Sequence, residues 1–78
     1  MQPDTQMKNL VRMANQIGQF FKTQGVDTAA AGIADHIEKF WDPRMRQLIR
    51  AHARAGGAGL DPHALEAVRQ LDEQGRVR

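Results

Sequence analysis

The stretch Gly32-Ile33-Ala34-Asp35-His36-Ile37-Glu38-Lys39-Phe40-Trp41-Asp42-Pro43-Arg44-Met45-Arg46 decides the fold of this chain. Apolar residues at 30, 33, 34, 37, 40 and 41 recur at i, i+3, i+4, i+7, i+10 and i+11, the spacing of a helix face turned toward a core. Asp42-Pro43 ends that helix, because proline pushes the residue before it out of the α region. Asp is also a good N-cap, and proline suits the first helical position. One helix therefore ends at Phe40 or Trp41 and the next begins at Pro43. With almost no loop between them the two axes meet at a corner, and Phe40 and Trp41 sit inside or beside it.

Upstream, Asp4 or Thr5 can cap a first helix running to about Thr23, with Leu10, Met13, Ala14, Ile17, Phe20 and Phe21 as its apolar stripe. Gly18 inside it costs about 1 kcal/mol relative to alanine. It reads either as drift or as a close helix approach along Ala14 and Gly18. Gln24-Gly25 ends the helix, and Asp27 or Thr28 caps the second. So short a loop predicts an antiparallel hairpin of helices one and two, whose facing stripes supply most of the core. Gly32 reads as a tight crossing.

Downstream, a third helix is predicted from Pro43 to about Ala55, with Met45, Leu48, Ile49 and His52 inward and Arg46, Arg50 and Arg54 on another side. Gly56-Gly57-Ala58-Gly59 closes it as a flexible hinge. Asp61 caps a fourth helix with Pro62 first, and Leu60 staples onto Leu65. That helix uses Ala64, Leu65, Val68 and Leu71 and fades at Glu73-Gln74-Gly75. No segment alternates as a strand would. The fold class is all-α: a small bundle of three main helices plus a short C-terminal helix, one domain over residues 1–78 with ends fraying at about 1–5 and 74–78.

Composition narrows the function. The 78 residues include no cysteine, so there is neither disulfide nor thiolate metal site, and an intracellular home is expected. Met1-Gln2-Pro3-Asp4-Thr5 does not read as a signal peptide, and no apolar run is long enough to span a bilayer. A domain this small has little stability margin, so a partner surface would help it. The net charge of +2 is modest but uneven: residues 1–41 hold four Lys/Arg against four Asp/Glu, and residues 42–78 seven Arg against five.

Motifs for catalysis and ligand binding are weak. The glycine cluster 56–59 follows a helix and precedes Leu60-Asp61-Pro62, whereas a phosphate loop needs a strand before it and Gly-Lys-Ser/Thr after it. His36, His52 and His63 lie on three helices without i, i+4 pairing, so they read as surface or boundary histidines rather than metal ligands. Asp35 and Glu38 read as part of a solvated face. With no serine or cysteine, nucleophilic catalysis has few candidates. No catalytic, cofactor-binding or metal residues are assigned. The sharper signal is arginine around the aromatic corner: Phe40, Trp41, Arg44, Met45, Arg46 and Arg50 are the candidate partner-binding residues. A solvated arginine face with Trp41 in the core stands beside that reading. A helix-turn-helix reading DNA through residues 43–55 is opposed by the very short corner and the weak basicity.

Three blocks carry a family resemblance: Val11-Arg12-Met13-Ala14-Asn15-Gln16-Ile17-Gly18-Gln19-Phe20-Phe21, the run from Gly32 through Arg46, and Gly56-Gly57-Ala58-Gly59-Leu60-Asp61-Pro62. Together, from about residue 8 to 68, they resemble the delta subunit of NAD-dependent, molybdenum-containing formate dehydrogenase. The Phe-Trp-Asp-Pro-Arg-Met-Arg block is the most specific. The resemblance implies a non-catalytic accessory subunit of a cytoplasmic complex, supporting assembly, maturation or stability of the catalytic alpha subunit. It implies that the complex carries bis-molybdopterin guanine dinucleotide, iron–sulfur clusters and FMN, none bound by this chain, and that neither nucleic acid nor membrane is a partner. The alternatives are a transient maturation factor touching the molybdenum cofactor through the arginine row, or a small DNA-binding regulator.

Overall fold

The computed structural model describes the backbone of residues 3–77 and the side chains of residues 6–72. Four helices follow one another: α1 (Pro3–Gln24), α2 (Ala29–Phe40), α3 (Pro43–Arg54) and α4 (Pro62–Val77), with a 3-10 turn, Val26–Thr28, between α1 and α2. Among the described residues there is no strand, as expected for an all-α chain. No described helix is long and apolar enough to cross a membrane. Helix α1 starts at Pro3, so Asp4 and Thr5 lie within it rather than before it; their side chains are outside the described residues.

The corner forms as the sequence requires. Trp41 and Asp42 are extended, with ψ of 143° and 166°, and Pro43 opens α3. The Asp42 carboxylate accepts a hydrogen bond from the Met45 backbone N–H at 2.8 Å, a regular N-cap. At α2 the cap is weaker: Thr28 stands at the N-cap position without a side-chain cap bond, and its hydroxyl donates back to the Gly25 carbonyl instead, at 3.4 Å.

The buried set is Leu10, Ala14, Ile33, Ala34, Ile37, Trp41, Ile49, Ala53, Ala64, Ala67, Val68 and Leu71. Ile33, Ile37, Ile49 and Val68 are its largest fully enclosed side chains. Helix α2 runs through the middle. Its main neighbour is α4, followed by α1. This corrects the expectation that the α1–α2 pair supplies most of the core and that the fourth helix is short. With 16 residues α4 is longer than α2 or α3, which have 12 each. Ala64 and Ala67 present almost no bulk, so α4 lies close against Ile33, Ala34 and Ile37. The polar run Glu73-Gln74-Gly75 does not stop the helix, because one glycine costs only about 1 kcal/mol once the preceding turns are packed. Whether the chain ends fray falls largely on side chains outside the described residues.

The glycine cluster is a built turn rather than a loose hinge. The Gly57 N–H donates to the His52 carbonyl at 2.9 Å and the Gly56 N–H to the Ala53 carbonyl at 3.1 Å, the paired bonds of a Schellman C-cap. Gly57 has φ of +67°, and a Cβ there would lie 2.5 Å from the Leu65 side chain and 3.6 Å from that of Leu60. Only glycine suits both demands. Leu60 and Leu65 thus converge on this residue, where a staple across the Asp61 cap would place them. Gly32 is the expected tight crossing: a Cβ there would be 2.5 Å from the Phe21 ring.

The stripe on α2 splits at its end. Trp41 is 5% exposed, whereas Phe40 is 74% exposed. Replacing Trp41 by alanine should therefore cost about 3–5 kcal/mol, a large share of the stability of any small domain. Phe40→Ala should stay within about 0.5 kcal/mol of wild type. Thermal melts followed by circular dichroism check the pair; similar losses for both would refute this division.

Candidate functional site

The six residues singled out around the corner do not form one patch. Trp41 is enclosed and Met45 is half-buried against the core, so Trp41 offers no surface to a partner in this conformation. Arg46 folds back over the corner. Its guanidinium donates to the Glu38 carbonyl at 2.8 Å and to the Trp41 carbonyl at 3.0 Å. These are carbonyls at the C-terminal end of α2, which lack intrahelical donors. A cation there also faces the negative end of the helix dipole.

Arg50 and Arg54, one turn apart on α3, converge on Asp72 of α4. The Arg54 Nε donates to Asp72 at 3.0 Å, and its terminal nitrogen makes a second bond to the same carboxylate. Arg50 donates to one Asp72 oxygen through Nε and a terminal nitrogen, at 3.3 and 3.2 Å. The arginine row read as a partner surface is therefore largely engaged within the fold. Of the six residues, Phe40 and Arg44 remain exposed.

A run of aromatic rings joins Phe40 to the end of α1. The Phe40 ring lies tilted over His36, with centroids 4.7 Å apart. His36 meets Phe21 edge-on at 6.3 Å, and Phe21 meets Phe20 in a T-shape at 5.2 Å. Phe20 is 58% exposed, so the run begins and ends on rings open to solvent. Val26, in the turn after α1, is exposed as well. The exposed ion pair Lys39–Asp35, 3.1 Å, lies on the same helix as His36 and Phe40. Phe20 was absent from the sequence-based site because it was placed in the α1 stripe. The available signal was the adjacency of Phe20 and Phe21: neighbours on a helix point about 100° apart, so both cannot face one core.

A chain without cysteine has no thiolate for an iron–sulfur cluster. Among the described residues no three of His, Asp and Glu gather into a metal-sized group. His52 Nε2 instead faces the Ala58 carbonyl at 2.8 Å.

Residues 9–68 match the family model described as NADH-dependent formate dehydrogenase delta subunit FdsD. This chain belongs to the FdsD family. The matched span runs from the second turn of α1 to the middle of α4 and takes in the Asp42-Pro43 corner, the glycine turn and all four rings. No curated protein and no solved structure matches the chain. Membership gives a formate dehydrogenase subunit, as the resemblance of the three blocks implies, and the all-α fold agrees with the helical spacing of the sequence.

The Asp72 clamp has a pH signature. Its carboxyl is held at about 2, below the ordinary 3.8, first by the hydrogen bond from Arg54, with Arg50 adding to it against the opposing effect of burial. Because the folded value is the lower one, the clamp's contribution is present above the unfolded pKa and is lost as pH falls through about 4 toward 2. Wild-type melting temperature should therefore fall more steeply over that window than that of Asp72→Asn. Parallel curves in a pH series of thermal melts would show that the clamp does not contribute to acid sensitivity.

Proposed function

We propose that this chain is a non-catalytic accessory subunit of an NAD-dependent formate dehydrogenase, docking on the alpha subunit and supporting its assembly, maturation or stability. The observation that carries this reading is the exposed aromatic run Phe20–Phe21–His36–Phe40 on a chain of the delta-subunit family. Rings open to water at 58% and 74% recover apolar burial only against another surface. Burying a phenylalanine side chain contributes about 1.5–3 kcal/mol, so the two make a plausible centre for an interface. Arg44, exposed at the first turn of α3, supplies a cation for an acidic group on the partner.

The areas are compatible. The chain has 5239 Å² of accessible surface, and a standard interface takes about 800 Å² per partner, roughly a seventh of it. The molybdenum cofactor, iron–sulfur clusters and FMN of the complex belong, in this reading, to the other subunits. The maturation-factor and DNA-binding readings both lean on the arginine row, whose members Arg46, Arg50 and Arg54 are hydrogen-bonded within the fold. No observation favours either over docking.

The test is co-expression of the complex with a tagged alpha subunit. Phe20→Asp combined with Phe40→Asp should lower recovery of this chain by about tenfold or more, as expected for the loss of two central anchors. The melting temperature of the isolated variant should stay near that of wild type, since both rings are exposed. Undiminished recovery would remove the aromatic run from the interface, and recovery of fully stable, active complex without this chain would remove the accessory role.

A further inference from the structure

A second surface lies on another flank of α1. Residues 7, 8, 11, 12, 15, 16 and 19 form a straight stripe whose centre sits about 120° around the helix from Phe20. Between this stripe and the glycine turn runs an open groove of about 570 Å³. Met7, Val11, Ala58 and Gly59 give it an apolar floor, and Lys8 and Arg12 stand along one rim. Among the described residues no aspartate or glutamate lines it. Neither Lys8 nor Arg12 forms an ion pair among the described residues.

The far wall is held in place. The Asn15 amide donates to the Gly59 carbonyl at 2.9 Å and its oxygen accepts from the Asp61 N–H at 2.9 Å. His52 bonds the Ala58 carbonyl at 2.8 Å. With the Schellman turn, these bonds fix residues 56–61 against α1 and α3 before any partner arrives, so little ordering entropy remains to be lost on binding.

We propose that this groove docks a short acidic amphipathic helix of another polypeptide. Apolar side chains would lie over Val11 between α1 and Ala58, and Asp or Glu on the flank would meet Lys8 and Arg12. From Met7 to Gln19 the groove is about 18 Å long, the length of a helix of about twelve residues. Charge argues for this occupant over the others. The chain's own C-terminal Arg76-Val77-Arg78 is basic and would meet the Lys8–Arg12 rim with like charge. A second copy placed groove to groove would set the same cations against each other. The inference goes beyond the docking reading above, because it holds whichever chain covers Phe40.

The experiment is an NMR titration of the full 78-residue chain with a synthetic peptide of about twelve residues, leucine at i, i+3, i+4 and i+7 and glutamate on the flank beside the leucines. The control peptide carries lysine for each glutamate. Saturable shifts are expected at the amides of Val11, Gln16, Ala58 and Gly59 with the glutamate peptide alone. Lys8→Glu with Arg12→Glu should weaken binding by about tenfold or more, and added salt should weaken it too. Phe20→Asp should leave it unchanged, which separates this site from the aromatic run. Equal binding of the lysine peptide, shifts centred on Phe20 and Phe40, no saturable shift, or the same shifts on concentrating the chain without peptide would each overturn the proposal. Both rim residues are exposed, and a far-UV spectrum of the double variant confirms that the helices persist.

Discussion

A helix that stops leaves carbonyl groups without intrahelical donors, and a junction with almost no loop must supply partners for them. At the end of α2 that demand is met by Arg46, which reaches back across the corner to the Glu38 and Trp41 carbonyls. Everything around it follows. The chain can turn sharply because Asp42 caps the new helix as Arg46 closes the old one. The sharp turn lets Trp41 drop into the core while Phe40, one residue earlier, is left outside.

The same economy recurs where α3 meets α4. A Schellman turn ends one helix, Asp61 caps the next at the Ala64 N–H, and Asn15 ties the connection to α1. Two arginines from α3 then hold Asp72 one helix away. The polar groups that look like recognition elements in the sequence are thus largely devices for joining helices. The surfaces proposed for partners are instead the aromatic run across α1 and α2, and the groove with its cationic rim.

Much of this was legible in the sequence, and the limits have a common cause. Proline, the aspartates at 42 and 61, and the crossing glycine at 32 act through neighbours or through backbone geometry, so the corner and the starts of α3 and α4 could be read directly. The family resemblance over the three blocks agrees with the matched span of residues 9–68. What could not be read depends on groups distant in sequence. Asp72 lies 22 residues from Arg50, and Gly59 lies 44 from Asn15, so neither the engaged arginines nor the pinned turn shows in local spacing. The fate of Phe40 and Trp41 is similar: the stripe admits both, and only packing by α4 and α3 decides which one is covered. The role of α4 was underestimated because alanines at 64 and 67 make up half of its buried face, and alanine carries little weight in a search for large apolar residues.

That alanine face has a consequence for how the protein comes into being. Helix α2 takes its principal cover from α4, the helix that follows all the others in the chain. Without residues 64–71, α2 keeps only its contact with α1 as principal cover, and an α1–α2–α3 unit carries an open apolar seam. A product cut off before α4 would leave that seam open to water and prone to self-adhesion.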